Sequence, residues 1–176
     1  MNAPRWGIVL AVTAACWSSA ALAQGVIERV KAGGKIVIAH RESSVPFSYV
    51  DPATKKPVGY ALDLCHKLAD AVGKKAGVRN VPVEFLQVTP ANRIAMVEQG
   101  KADMECGSTT NNAERREKVA FTIPHFITGA RLLVKADSPI DRIEDLMGKK
   151  LVSTKGTTPL KAADQANRER LMGITI

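Results

Sequence analysis

Lys35-Ile36-Val37-Ile38-Ala39, followed at once by the polar run His40-Arg41-Glu42-Ser43-Ser44, is the stretch that decides the fold. A short run rich in β-branched residues, closed by charges and hydroxyls, reads as a strand that ends in a polar loop. Outward from it the pattern alternates. Leu62, Leu64, Leu68, Ala69 and Val72 recur at helical spacing, and Gly73 or Gly77 can end that helix. Val81 to Val88 reads as the next strand, with Val83, Phe85 and Gln87 on one face. Ala91 to Glu98 is a helix closed by Gly100, and Ala102 to Cys106 is a third strand. Gly107 to Asn112 is a polar loop, and Asn112 can cap a turn through Ala113-Glu114-Arg115-Arg116. Then come an extended apolar segment from Ile127 to Val134, a helix around Ile140 to Met147, a strand Leu151-Val152-Ser153, and a helix beginning near Pro159. Strand and helix in alternation imply an α/β fold with largely parallel sheets.

The amino terminus addresses the compartment. Arg5 stands before an apolar run from Ile8 to Trp17, and Ala21-Leu22-Ala23 then precedes Gln24. A cation, a short apolar region and an A-x-A site describe a cleaved secretion signal over residues 1–23. A spanning helix needs about 20 apolar residues, and Ser18 and Ser19 interrupt this run. What remains is long enough for one domain with a real core. The whole chain of 176 residues carries a formal charge of +8. Its cations are dispersed and not interleaved with aromatics, which excludes the clustered footprint of a nucleic-acid binder. With Cys16 removed, Cys65 and Cys106 remain. In an oxidising compartment the pair can form a disulfide, or stay as two buried thiols on apolar elements.

Polar clusters fall where strands end: His40 to Ser44, Thr89 to Arg93, and Cys106 to Asn112, with Lys155-Gly156-Thr157-Thr158 before the last helix. In open α/β sheets ligands bind outside the carboxyl ends of strands. Guanidinium groups fork onto carboxylates, and hydroxyls with free N–H groups at helix starts complete such a shell. Singly, these residues also serve turns and caps; together they point to a small-anion site. No G-x-S-x-G, H-E-x-x-H, C-x-x-C or Walker loop occurs, and His40, His66 and His125 show no metal-ligand spacing.

On these residues the chain resembles the family 3 periplasmic solute-binding proteins of amino-acid ABC transporters, in the glutamate/aspartate-binding branch. The matching residues include His40 to Tyr49, Gly59 to Leu64, Asn92-Arg93-Ile94, Gly100 to Asp103, Glu105 to Asn112, Gly129 to Leu133 and Gly156-Thr157-Thr158. The resemblance implies a two-lobed clamshell, with a first lobe over residues 24–131 and the start of a second over 132–176. It puts Arg41, Ser43, Arg93, Ser108, Thr110, Arg115 and Thr158 at the ligand. Arg93 would take the α-carboxylate with the Thr110 backbone, Ser108 the α-amino group, and Arg41 the side-chain carboxylate. Thr158 would close over the bound anion from the second lobe. One position departs: close relatives carry Ser where this chain has Pro90.

The resemblance implies a periplasmic, monomeric binding protein rather than an enzyme. Its partners would be L-glutamate or L-aspartate and an inner-membrane ABC permease, with no cofactor, metal or nucleic acid. Two rival classes share the clamshell: periplasmic dehydratases of aromatic amino-acid precursors, and sensor domains of membrane receptors. Gly173-Ile174-Thr175-Ile176 reads as the opening of another strand, so the chain is expected to be a fragment whose second lobe is incomplete. Family members continue past this point and use a His and an Asp from that portion.

Overall fold

The computed structural model describes residues 25–176; the secretion signal expected over 1–23 lies outside the described residues. The elements run α1 (Val26–Lys31), β1 (Ile36–Arg41), β2 (Ser43–Ser44), β3 (Ser48–Val50), β4 (Pro57–Val58), α2 (Tyr60–Ala76), β5 (Val83–Val88), α3 (Arg93–Glu98), β6 (Met104–Cys106), α4 (Ala113–Arg116), a 3₁₀ turn (Ile143–Leu146) and α5 (Thr158–Glu169). β1 is the middle strand of a parallel sheet ordered β5-β1-β6. Ile38 lies opposite Phe85 on one side and Met104 on the other. Ile36 and Ile38 pack with Val30 of α1 and with Leu62 and Ala69 of α2. Across the sheet, Ala39 packs with Val88 and Ala102, and with the half-buried Met96 and Val97 of α3. A strand covered on both faces reads as a continuous apolar run, which is how Ile36-Val37-Ile38-Ala39 is written.

Helix α2 buries a stripe of Leu62, Cys65, Ala69, Val72 and Ala76 against that sheet. Leu68 lies off the stripe and is exposed. The helix ends at Gly77, whose φ of 73° is the left-handed conformation that terminates helices. Gly73 has another task. It is buried within the helix, where a side chain would meet Val81 Cγ2 at 2.7 Å. Cys65 and Cys106 are joined as a disulfide, tying α2 to β6. Gln87 shares a face with Val83 and Phe85 by alternation, yet it is exposed near the strand end. The antiparallel strands β2, β3 and β4 form a second small sheet directly after β1. Strands of two or three residues carry too little alternation to be read from sequence.

Beyond α4 the expectations hold less well. Ile127 to Val134, expected as an extended apolar segment, pairs with no strand, and Ile127 and Leu133 are exposed. The helix expected around Ile140 to Met147 shrinks to the 3₁₀ turn. Leu151-Val152-Ser153 is not a strand; a single bridge joins Lys150 to Thr175. Extended backbone becomes a strand only when a neighbour satisfies its N–H and C=O groups, and among the described residues these segments find no ladder. A third core does form, from Leu146, Met172 and Ile174 with Ile140, Ile143 and Leu151 at its margin. Among the described residues no helix is long and apolar enough to cross a membrane.

Candidate anion-binding site

Because β1, β5 and β6 run parallel, their carboxyl ends open on one edge, and the polar loops gather there. Arg41 is the last residue of β1 and is buried. Its N–H donates to the fully buried Ser48 Oγ at 2.9 Å, which fastens β3 against the strand end. Arg93 is the first residue of α3. The turn before it is closed reciprocally: Thr89 N donates to Asn92 Oδ1 at 2.8 Å, and Asn92 N donates to Thr89 Oγ1 at 3.3 Å. That turn delivers the Arg93 guanidinium inward, leaving the residue only 2 % exposed.

The buried end holds one further charge. Arg93 Nη1 lies 3.8 Å from Glu105 Oε1, and both side chains are almost wholly enclosed. Neither atom has a hydrogen-bond partner in the protein, and the same holds for Arg93 Nε, Arg41 Nε and Thr109 Oγ1. Burial lowers the Arg93 pKa to about 10, with Glu105 opposing and Arg115 and Arg41 adding to the depression. The group still stays cationic at neutral pH. Burial pushes Glu105 up, against the Thr109 hydroxyl beside it and the pull of Arg93, Arg41 and Arg115. Sequence reasoning gave Glu105 no role. The available signal was an acid inside the short strand Met104-Glu105-Cys106, directly before the polar loop Gly107 to Asn112.

A third cation stands nearer the rim. Asn112 caps α4 as expected, accepting from Arg115 N at 3.0 Å, and so fixes where Arg115 leaves the helix. Arg115 Nη1 donates to the Thr110 carbonyl at 2.8 Å and Nη2 to the Gly156 carbonyl at 3.3 Å. Thr110 Oγ1 and Thr158 Oγ1 meet at 3.0 Å, with Thr158 opening α5. Gly156 has a φ of +80°, and a Cβ there would lie 2.7 Å from Ala91 Cα and 2.8 Å from the Pro90 carbonyl carbon. Only glycine lets the two loops approach so closely. Asn112, Arg115, Gly156, Thr158 and Lys161 line a cleft of about 540 Å³. A hollow of about 550 Å³ beside Gly73 to Val81 lies at the entry to β5 and gathers no such set.

The site residues read from the sequence therefore divide. Arg41 and Arg93 sit deep beside Glu105, whereas Arg115, Thr110 and Thr158 form a linked group at the rim. Ser108 Oγ donates to Ser44 Oγ at 3.5 Å on the exposed margin. Ser43 is exposed on β2, opposite Tyr49, and is not linked to the others. The resemblance pairs Arg93 with Thr110; in the structure the guanidinium on the Thr110 backbone is that of Arg115.

Comparison with known proteins bears on this arrangement. The bacterial extracellular solute-binding proteins, family 3, match residues 36–172. The chain belongs to that family. Among its relatives, an L-glutamate/L-aspartate-binding protein of Pseudomonas aeruginosa is 39% identical over 94% of this chain and 56% of its own length. A glutamate/aspartate import solute-binding protein of Salmonella typhimurium is 42% identical over 88% of this chain and 51% of its own. This family 3 chain thus spans about half the length of the curated relatives it matches. These relatives are binding proteins. Among solved structures, the arginine-bound form of truncated ArgBP from T. maritima gives a TM-score of 0.71 at 25% identity, over 84% of this chain and 66% of that one. The ancestral amino acid-binding protein AncCDT-1, a precursor of cyclohexadienyl dehydratase, gives 0.67 at 29% identity, over 85% of this chain and 63% of that one.

Proposed function

We propose that this family 3 chain is the ligand-binding part of a periplasmic receptor for acidic amino acids, L-glutamate or L-aspartate, serving an ABC permease. In this reading residues 24–131 belong to the first lobe and 132–176 open the second, and the chain exits the cytoplasm with residues 1–23 cleaved. The observation that carries it is the convergence of three guanidinium groups, those of Arg41, Arg93 and Arg115, on one end of the sheet. A ligand with two carboxylates matches two cationic subsites. The deep pair, Arg41 and Arg93, would take the side-chain carboxylate, because a buried charge left unpaired is costly and so discriminates strongly. Arg115, with the Thr110 and Thr158 hydroxyls, would take the α-carboxylate that all amino acids share. This gives Arg93 a different carboxylate from the one that the resemblance implies. Ser108, on the rim, is left for the α-amino group.

The test is calorimetric titration of the chain with glutamate, aspartate, glutamine and lysine. Glutamate and aspartate should bind, glutamine more weakly and lysine not at all. Lysine bound as tightly as glutamate would overturn the reading.

A further inference from the structure

We propose that Glu105 sets the charge of the group the deep subsite accepts, acting as a built-in counter-ion that leaves room for one negative charge and no more. The inference rests on the two-subsite reading above and adds a specificity-determining residue to it. Arg41 and Arg93 contribute two positive charges where both residues are buried. Glu105 lies among them: its Oε1 is 3.8 Å from Arg93 Nη1, with 3% and 9% of the Arg93 and Glu105 side chains exposed. A side chain at Gly107 would meet Glu105 Oε1 at 2.6 Å and Arg41 Cγ at 3.1 Å, so the carboxylate reaches the Arg41 side as well. Asp103, just before the same strand, is engaged elsewhere, with Arg29 and with Val37 N at 2.8 Å. Glu114 is exposed and pairs with Lys161. Glu105 is therefore the acid that enters the deep balance.

Charges in a low-dielectric site must be paired. Two guanidiniums and one internal carboxylate leave a single positive charge uncompensated, and one incoming carboxylate neutralises it. A doubly ionised group, such as a phosphonate, would overshoot. Buried donors stand ready for the carboxylate: Arg93 Nε, Arg93 Nη1 and Arg41 Nε make no hydrogen bond in the protein. A second acid in the same shell also separates two roles that a bare arginine cluster would merge, attraction of anions in general and selection of a singly charged one.

The test compares wild type, Glu105→Gln, and the double variant Arg93→Gln/Glu105→Gln. Each is titrated with L-glutamate and with its analogue bearing a phosphonate in place of the side-chain carboxylate, at about pH 8.5, above the second ionisation of such groups. Size affects all three proteins alike, so the ratio of the two affinities isolates charge. Glu105→Gln should move that ratio towards the phosphonate by on the order of tenfold or more, and the double variant, again one charge short of neutrality, should move it back. Thermal unfolding in acetate against sulfate at equal ionic strength supplies a readout that needs no amino acid. Wild type should gain more from acetate and Glu105→Gln more from sulfate. If Glu105→Gln folds only with an anion present, rescue by sulfate and not acetate reads the same preference. An unchanged ratio and an unchanged anion order in Glu105→Gln overturn the proposal. A switch in anion order without any glutamate binding keeps this proposal and overturns the receptor reading instead.

Discussion

Replacing Arg93 by Ala removes the cation nearest a buried carboxylate, and its cost can be worked from the geometry. At the 3.8 Å between Arg93 Nη1 and Glu105 Oε1, with an effective dielectric near 20, the attraction is about 4 kcal/mol. That lies within the roughly 3–5 kcal/mol measured for breaking buried pairs. For a chain of this size each kcal/mol shifts Tm by about 2–4 °C, so Arg93→Ala should melt roughly 8–16 °C lower. The loss has a pH signature. Burial already raises the Glu105 pKa while Arg93 pulls it down, so removing Arg93 raises it further. A carboxyl whose folded-state pKa lies above its unfolded value of about 4.3 permits full stability only below that value. The penalty then grows as pH climbs through the raised folded-state pKa. Arg93→Ala should thus approach wild type in acid and fall away from it towards neutral pH. Glu105→Gln added to Arg93→Ala should recover much of the loss and flatten the pH dependence. Denaturant unfolding of the four proteins at several pH values forms the double-mutant cycle. A coupling below about 0.5 kcal/mol at neutral pH would refute the charge-pair reasoning and make Arg93 a packing residue.

Arg41→Ala should weaken glutamate and aspartate by on the order of 100-fold or more while changing glutamine far less, because only the acidic ligands place a charge on the deep subsite. Arg115→Ala should weaken all three by similar factors, and calorimetry that reverses these two patterns would swap the subsites. Reducing the Cys65–Cys106 bond, whose sequence separation is 41 residues, should cost about 4 kcal/mol on the loop-entropy model; a Tm insensitive to reductant, in a chain whose thiols are shown to be released, contradicts this. Asn112→Ala removes the acceptor for Arg115 N and should cost about 1 kcal/mol of stability. It should also lower glutamate affinity by loosening Arg115, an effect visible in titrations at saturating fold.

Much of the first part of this molecule was written locally. Ile36 to Ala39 is apolar without interruption because both faces of β1 are covered, and a residue-by-residue pattern reports that directly. The polar clusters at the strand ends were legible for the same reason: strands that run parallel must release their loops at one edge. Asn112 as a cap and Thr158 as a helix opener are likewise local rules, settled within a single turn of backbone. The resemblance named the arginines and set Arg93 on the α-carboxylate and Arg41 on the side-chain carboxylate; the burial of both beside Glu105 is what groups them.

What the sequence could not carry depends on distance through space. Whether Cys65 and Cys106 bond is a question of how α2 lies on β6. That Glu105 belongs to the site follows only once Arg41, Arg93 and Arg115, far apart along the chain, are folded around it. Arg115 rather than Arg93 reaches the Thr110 carbonyl because Asn112 aims one helix and the Thr89–Asn92 turn aims the other. Gly156 brings its loop against Pro90 and Ala91 through a backbone conformation that no periodicity records. Local sequence determined which segments are strands, helices and polar loops, since those choices turn on neighbours within a few residues. The tertiary structure decided which charges share a low-dielectric space, since the energy of a charge is set by everything around it.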